Sequence, residues 1–175
     1  KAGFIETDIY ELDSFDKSIF NPLSRNIKND EESLSFFKEI MSKVDNFNDE
    51  ISDQTLLGYC IEKEAVPEVI KILIEDFGCN ANYKSNSQEN LIHKIVNNYS
   101  LNAEKGTAYI KTLLENGVDI NDKNVVGTTP LMYAIKRHKK EYIPMLLENG
   151  ADPNEKDNQE NSSFYYAVGE QFSIP

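Results

Sequence analysis

The sequence has few residues of the types that build catalytic, metal or disulfide sites. Its 175 residues include two cysteines, two histidines and no tryptophan. Cys60 and Cys79 are too few and too far apart for a disulfide framework or a zinc cage, so reduced thiols in an intracellular protein are the simpler interpretation. No nucleophile–base motif, glycine-rich phosphate loop, His-Glu-x-x-His pattern or EF-hand spacing is present. We therefore expect no enzymatic activity, no cofactor and no metal.

Basic residues are scarce relative to acidic ones. Eighteen Lys and Arg stand against 30 Asp and Glu, for a formal net charge of −12. Nucleic acids and anionic membranes require a basic footprint, so neither is expected as a direct partner. No run approaches the roughly 18 apolar residues of a membrane span, and no signal peptide opens the chain. Because the first residue is lysine rather than methionine, we expect a part of a larger intracellular protein, cytoplasmic or nuclear.

Residues 121–154 carry the densest pattern of structural signals. Gly127 allows a positive φ in a turn, Thr129 can cap a helix through its hydroxyl, and Pro130 suits the first helical position. Gly150 stands where a left-handed C-terminal cap ends a second helix. An apolar stripe at three- and four-residue spacing is predicted for that second helix: Tyr142, Ile143, Leu146 and Leu147. The pattern predicts a turn followed by two short helices.

The same pattern recurs along the chain. Tyr165 lies 33 residues after Met132, and His93 lies 39 residues before it. A turn and two helices with a period of about 33 residues resemble the ankyrin repeat. The resemblance covers residues 20–175, and it is specific in the third and fourth repeats, looser in the second and marginal in the first. The predicted repeats span 20–48, 49–82, 83–121, 122–154 and, in part, 155–175.

The first two repeats depart from the family pattern. In the first, Asn21–Ser24 replaces the usual Thr-Pro-Leu-His, and five residues are predicted to make its second helix: Leu34, Phe36, Phe37, Ile40 and Met41. In the second, Cys60 takes the place of a small alanine and Pro67 begins the second helix. The acidic segment 1–19 either covers the apolar face of the first repeat or acts as an acidic and hydrophobic peptide for another protein.

The third repeat is about six residues longer than the usual 33. The surplus is expected in Asn97–Thr107, between the two helices of the repeat. Two interpretations are open: the insertion adds a private contact surface, or it is a tolerated surface bulge.

The resemblance implies an all-α solenoid of stacked helix-turn-helix units with β-turn fingers. In this family the fingers and first helices line a concave face that binds partner proteins, and we expect a monomer in isolation. Carried over by position, the candidate contact residues are Lys84, Asn86, Ser87, Glu89, Asn97 and Asn98 in the third repeat. In the fourth repeat they are Lys123, Val125, Val126, Thr128, Tyr133, Lys136 and Arg137, and in the last unit Lys156, Asn158, Gln159 and Asn161.

Three of these features have a specific interpretation. Val125 and Val126 are adjacent aliphatic residues on a predicted turn, where they contribute nothing to the monomer and can anchor a partner. Tyr59, Tyr133 and Tyr166 share one register, which fits either binding hot spots or packing between repeats. The basic segment Lys136–Lys140 either receives an acidic peptide or a phosphate, or is a solvated turn.

His93 occupies the histidine position of the repeat. The resemblance implies that it ties a finger to a helix by hydrogen bonds; the alternative is a metal or catalytic role. The function predicted from the sequence is a non-catalytic protein–protein interaction module. The alternative is a structural spacer or intramolecular regulatory domain that packs against other domains of its parent protein.

Overall fold

The computed structural model describes residues 27–43 and 55–169, and these residues form α-helices joined by turns. The helices are α1 (Glu31–Met41), α2 (Leu56–Glu62), α3 (Pro67–Glu75), α4 (Leu91–Asn97), α5 (Ala103–Glu115), α6 (Pro130–Lys136), α7 (Ile143–Glu148) and α8 (Ser163–Gly169). In the described ranges the only β-type pairing is two isolated antiparallel bridges, Lys84 with Asn90 and Lys156 with Ser162. The predicted all-α class is confirmed. The predicted capping segment 1–19 and the Asn21–Ser24 signal lie outside the described residues.

The chain divides into two compact units, residues 1–80 and 81–175. In the first unit, α2 and α3 form a helical hairpin around buried aliphatic side chains. Thr55 caps α2 by accepting a hydrogen bond from the N–H of Gly58 at 3.3 Å. Pro67 occupies the first turn of α3, where its missing N–H costs no helical hydrogen bond. The predicted start of this helix is therefore confirmed.

Helix α1 contains the apolar residues that were predicted to form it, and it buries three of them. Asp30 caps it by accepting from the N–H of Ser33 at 2.8 Å. Phe37, Ile40 and Met41 are buried, whereas Phe36 is 43% exposed. A 3.6-residue period places positions 37, 40 and 41 on one face, and position 36 lies at its edge. The five apolar residues that were predicted to form this helix all lie in it.

In the second unit, α6 packs between α4 and α8, while α5 packs on α4 and α7 packs on α6. Asn90 caps α4 and Thr129 caps α6, and each side chain accepts from the N–H three residues later. Pro130 opens α6, and Gly150 follows α7 with φ of 92°. These features of residues 121–154 agree with the sequence prediction.

Helix α7 begins one residue later than its predicted stripe. Tyr142 is the residue before the helix, and it is fully buried together with Leu146. Met145 is buried too, whereas Leu147 is 44% exposed. Positions 142, 145 and 146 therefore form the face that α7 presents to the interior. The prediction that Leu147 belongs to this face was wrong.

The surplus residues of the third predicted repeat are folded into a helix. The connection between α4 and α5 is only residues 98–102, but α5 has 13 residues, compared with nine in α3 and six in α7. The expectation of an insertion between the helices is therefore corrected, because most of the surplus lengthens α5 at its N-terminal end. Among the described residues, each helix is too short or too polar to cross a bilayer.

Candidate partner-binding surface

Three β-turn fingers, residues 83–90, 122–129 and 155–162, precede α4, α6 and α8 and share one backbone design. Each finger is closed by a hydrogen bond from an N–H to the carbonyl four residues later: Ser85 to Glu89, Asn124 to Thr128, and Asp157 to Asn161. Each contains one residue with positive φ: Gln88, Gly127 and Glu160. The repetition of these contacts makes the fingers equivalent positions of one periodic structure.

A buried polar side chain holds the second and third fingers from inside. Asn124 Oδ1 accepts from the N–H groups of Val126 and Thr128, at 3.1 and 2.9 Å. Asp157 Oδ1 does the same with Gln159 and Asn161, at 2.9 and 3.0 Å. Burial alone would raise the pKa of Asp157, but hydrogen bonds from the Tyr166 hydroxyl and from these N–H groups outweigh it and lower the pKa below its ordinary 3.8.

Neighbouring fingers are tied to one another through the backbone at their tips. The N–H of Val125 donates to the carbonyl of Ser87 at 3.0 Å, and the N–H of Asn158 donates to the carbonyl of Val126 at 3.1 Å. The Asn158 side chain adds a bond to the carbonyl of Val125 at 3.0 Å. The backbone of the second fingertip is thus held on both sides, while the Val125 and Val126 side chains are each 55% exposed.

Two of the candidate lysines form ion pairs between fingers. Lys84 Nζ lies 2.7 Å from Asp122 Oδ1, and Lys123 Nζ lies 2.7 Å from Glu155 Oε2. Lys156 Nζ lies 2.9 Å from Glu160 Oε2 within its own finger. These lysines are exposed, but each charge already faces a carboxylate. These ion pairs between fingers were not predicted from the sequence. The available signal was the acidic residue directly before Lys123 and Lys156, Asp122 and Glu155.

His93 and Tyr133 join the first and second fingers to the first helices. His93 is fully buried, its Nε2 lies 2.9 Å from the carbonyl of Thr128, and its Nδ1 lies 3.3 Å from the N–H of Asn90. Nδ1 also lies 2.7 Å from Asn90 Oδ1, so the donor and acceptor roles of the two ring nitrogens depend on which of them carries the proton. The Tyr133 ring packs edge-on against His93 and its hydroxyl donates to Glu89 Oε1 at 2.6 Å. Burial and this bond raise the pKa of Tyr133 to about 12.

The candidate residues differ in access to solvent. Ten have exposed side chains: Lys84, Asn86, Lys123, Val125, Val126, Lys136, Arg137, Lys156, Asn158 and Gln159. Six are half-buried: Ser87, Glu89, Asn97, Asn98, Tyr133 and Asn161. Thr128 is only 2% exposed, because its backbone is bonded to Asn124 and His93 at the base of the finger. Thr128 thus lies at the base of the finger, and its assignment as a contact residue stays a prediction.

The metal-binding and thiol chemistry of the described residues is limited. No group of three or more His, Cys, Asp or Glu in these ranges is arranged to hold a metal ion. Burial raises the pKa of Cys79 to about 12 and also raises that of Cys60, so neither thiol ionises near neutral pH. A shallow depression beside α5 is lined by Ala103, Glu104, Thr107, Ala108, Lys111 and Glu141.

Comparison with known proteins gives one family. A sequence-family model described as ankyrin repeats (three copies) matches residues 57–157, which is more than half of the chain. The matched range runs from α2 into the third finger. No curated protein matches the chain.

Proposed function

The chain belongs to the ankyrin repeat family, and from this premise we propose that it is a non-catalytic module that binds a partner protein through its fingertips and first helices. Ankyrin repeats are generally protein–protein interaction modules. The observation that carries the proposal is the second fingertip. It presents two adjacent aliphatic side chains, Val125 and Val126, to solvent on a backbone that both neighbouring fingers hold.

The exposed part of these side chains is a source of binding free energy. Complete burial of a valine side chain is worth about 1.5–3 kcal/mol, and roughly half of each of these side chains remains to be buried. A partner that covers both therefore gains about 2 kcal/mol, which is roughly a 30-fold change in Kd.

The fixed backbone adds to this advantage. Binding by a mobile loop requires ordering, which costs about 0.5–1.5 kcal/mol for each side chain that is immobilised. Here the hydrogen bonds to Ser87 and Asn158 hold the tip, and a valine has only one side-chain torsion to restrict. The second fingertip is thus an apolar anchor that is ordered before a partner arrives.

Affinity capture followed by mass spectrometry tests the proposal. The bait is the chain, beside a Val125→Asp/Val126→Asp variant and a control, Thr107→Asp/Lys111→Gln, which makes the same change in net charge on α5. Circular dichroism first establishes equal folding of all three. We expect at least one protein to be captured by the parent and the control but not by the fingertip variant. Its purified form should then bind the fingertip variant at least about 30-fold more weakly.

Two other outcomes would contradict this site. Capture that is equal for all three baits would place the binding surface elsewhere. The spacer or intramolecular regulatory domain would be favoured by two results together. No captured partner would distinguish the baits, and Val125 and Val126 would be protected from solvent in a longer form of the protein.

A further inference from the structure

A second surface of the same unit is basic in a chain that is otherwise strongly acidic. The segment Lys136–Lys140 follows the end of α6, in a protein with a formal net charge of −12. Lys136, Arg137 and Lys140 have exposed side chains, whereas Lys139 is buried. Positive φ at His138, 56°, reverses the chain between Arg137 and Lys139. Four cations are thereby concentrated at one end of α6.

Tyr99, in the connection between α4 and α5, lies next to this segment. Its ring centroid is 5.9 Å from Arg137 Cζ and 4.8 Å from Lys139 Nζ, and the residue is 67% exposed. Lys139 Nζ also donates to the carbonyl of Asn98 at 3.1 Å. The ammonium group of Lys139 therefore fastens the Asn98–Tyr99 backbone and holds an exposed aromatic ring beside Arg137.

The exposed cations of this surface differ from those of the fingers in their partners. Lys84, Lys123 and Lys156 each face a carboxylate within 2.9 Å. In the part of the chain that the structure describes, Lys136, Arg137 and Lys140 have no carboxylate within 4.0 Å. Lys136 Nζ instead lies 4.3 Å from the ring centroid of Tyr166. Lys136 also interacts with Asp157 at longer range. Three cations that form no salt bridge in an otherwise acidic protein make a surface suited to external carboxylates.

We propose that the basic surface, defined as Tyr99, Lys136, Arg137 and Lys140, binds an acidic segment of a partner protein, rich in Asp and Glu. This inference rests on the proposed function and names the chemistry of the partner. Arg137 offers a guanidinium fork to one carboxylate, Lys136 and Lys140 pair with others, and the Tyr99 ring supplies apolar area between them.

A run of carboxylates fits this surface better than other anions do. Lys136 and Arg137 lie against different rings, Tyr166 and Tyr99, whereas a single phosphate requires groups that converge on one point. A nucleic acid carries a long, uninterrupted row of phosphates that extends beyond this short basic segment onto the surface of a chain with a net charge of −12. An acidic segment within a larger partner needs only a local match, because charges beyond about 10 Å are screened at 0.1 M salt.

An NMR titration of the isotope-labelled chain with hexaglutamate at about 0.1 M salt tests the assignment. We expect amide shifts concentrated at residues 98–100 and 136–140, and none with hexaglutamine. Arg137→Glu/Lys140→Glu should weaken hexaglutamate binding about tenfold. The control Lys71→Glu/Lys111→Glu makes the same change in net charge on exposed positions of α3 and α5 and should stay within about twofold. Tyr99→Ser should weaken binding without any change in charge.

Several results would overturn the proposal. The amide shifts caused by hexaglutamate would centre on the finger lysines, or both charge-reversal variants would weaken hexaglutamate binding equally. Alternatively, equimolar inorganic phosphate would displace hexaglutamate, or oligothymidylate would bind more tightly than hexaglutamate. The titration is independent of the fingertip test. Val125→Asp/Val126→Asp should leave the site of the hexaglutamate shifts unchanged, so failure of the basic surface and failure of the fingertip anchor give different results.

Discussion

Substitution of Gly127 by alanine should destabilise the second fingertip for two reasons, the positive φ of this residue and the close approach of Asn158. Gly127 has φ of 78°, and a Cβ added there would lie 2.6 Å from both the backbone N and the side-chain Oδ1 of Asn158. The left-handed conformation costs alanine about 1–2 kcal/mol. The close approach adds about 1–3 kcal/mol, as overpacking generally does. We therefore expect Gly127→Ala to lower the free energy of unfolding by about 2–5 kcal/mol.

Gly117 is the matched control, because it isolates the conformational cost. Its φ is 79°, nearly the same as at Gly127, but a Cβ added there would meet nothing within 4 Å. Gly117→Ala should therefore cost only about 1–2 kcal/mol. Urea unfolding followed by circular dichroism gives both values, and each kcal/mol corresponds to roughly 2–4 °C in Tm for a chain of this size.

The difference in stability between these two variants tests whether the second and third fingers approach closely at Gly127. Equal destabilisation within about 0.5 kcal/mol would refute the close approach of the second and third fingers. The equivalent residue of the first finger is Gln88, which carries a side chain at φ of 58°. Equal destabilisation would then mean that the second fingertip accommodates a Cβ as the first finger does at Gln88.

Three further predictions follow from buried or exposed side chains. Burial lowers the pKa of His93 below 6.5, so the unfolded chain takes up a proton first as the pH falls. The stability that neutral His93 contributes is complete above about pH 6.5. Below that pH it decreases by up to about 1.4 kcal/mol per pH unit. In urea titrations at several pH values, His93→Gln should remove this part of the pH dependence. Gly106→Ala places a Cβ 2.9 Å from Cζ of buried Tyr142 and should lower the free energy of unfolding by about 1–3 kcal/mol. The double variant Gly106→Ala/Tyr142→Phe should recover part of this loss. A Gly106→Ala variant as stable as the parent would contradict this packing. Phe164 and Tyr165, 72% and 56% exposed, should tolerate Phe164→Ser/Tyr165→Ser with a change within about 0.5 kcal/mol, and a larger loss would show that they are covered in solution.

The helix ends of the second unit could be predicted because their signals are local. Thr129 and Pro130 start α6 through a side-chain hydrogen bond and a fixed φ, and Gly150 follows α7 with positive φ. The role of His93 could also be anticipated, since the resemblance implies its hydrogen bonds. The capping segment 1–19 and the assignment of partner contacts stay predictions.

Contacts between distant residues decided several features that the sequence pattern left unspecified. Phe36 and Leu147 are apolar and lie at helical spacing, yet both are exposed, because burial depends on which neighbouring helix a face meets. Thr128 lies in a finger among exposed residues, yet its backbone is bonded to Asn124 and His93. The surplus of the third repeat was expected between the helices, but α5 is extended by it.

The sequence by itself determined the elements of this protein: the period of its repeats, the caps of its helices and an acidic surface that carries one basic segment. These features depend on interactions among residues a few positions apart, which leave a readable pattern. Only the tertiary structure decided which charges are already paired and which side chains remain open to a partner. Lys84 meets Asp122, and Arg137 meets the Tyr99 ring, across 38 residues in each case. Such distances along the chain are closed only when the repeats stack, because stacking brings equivalent positions of successive repeats into contact.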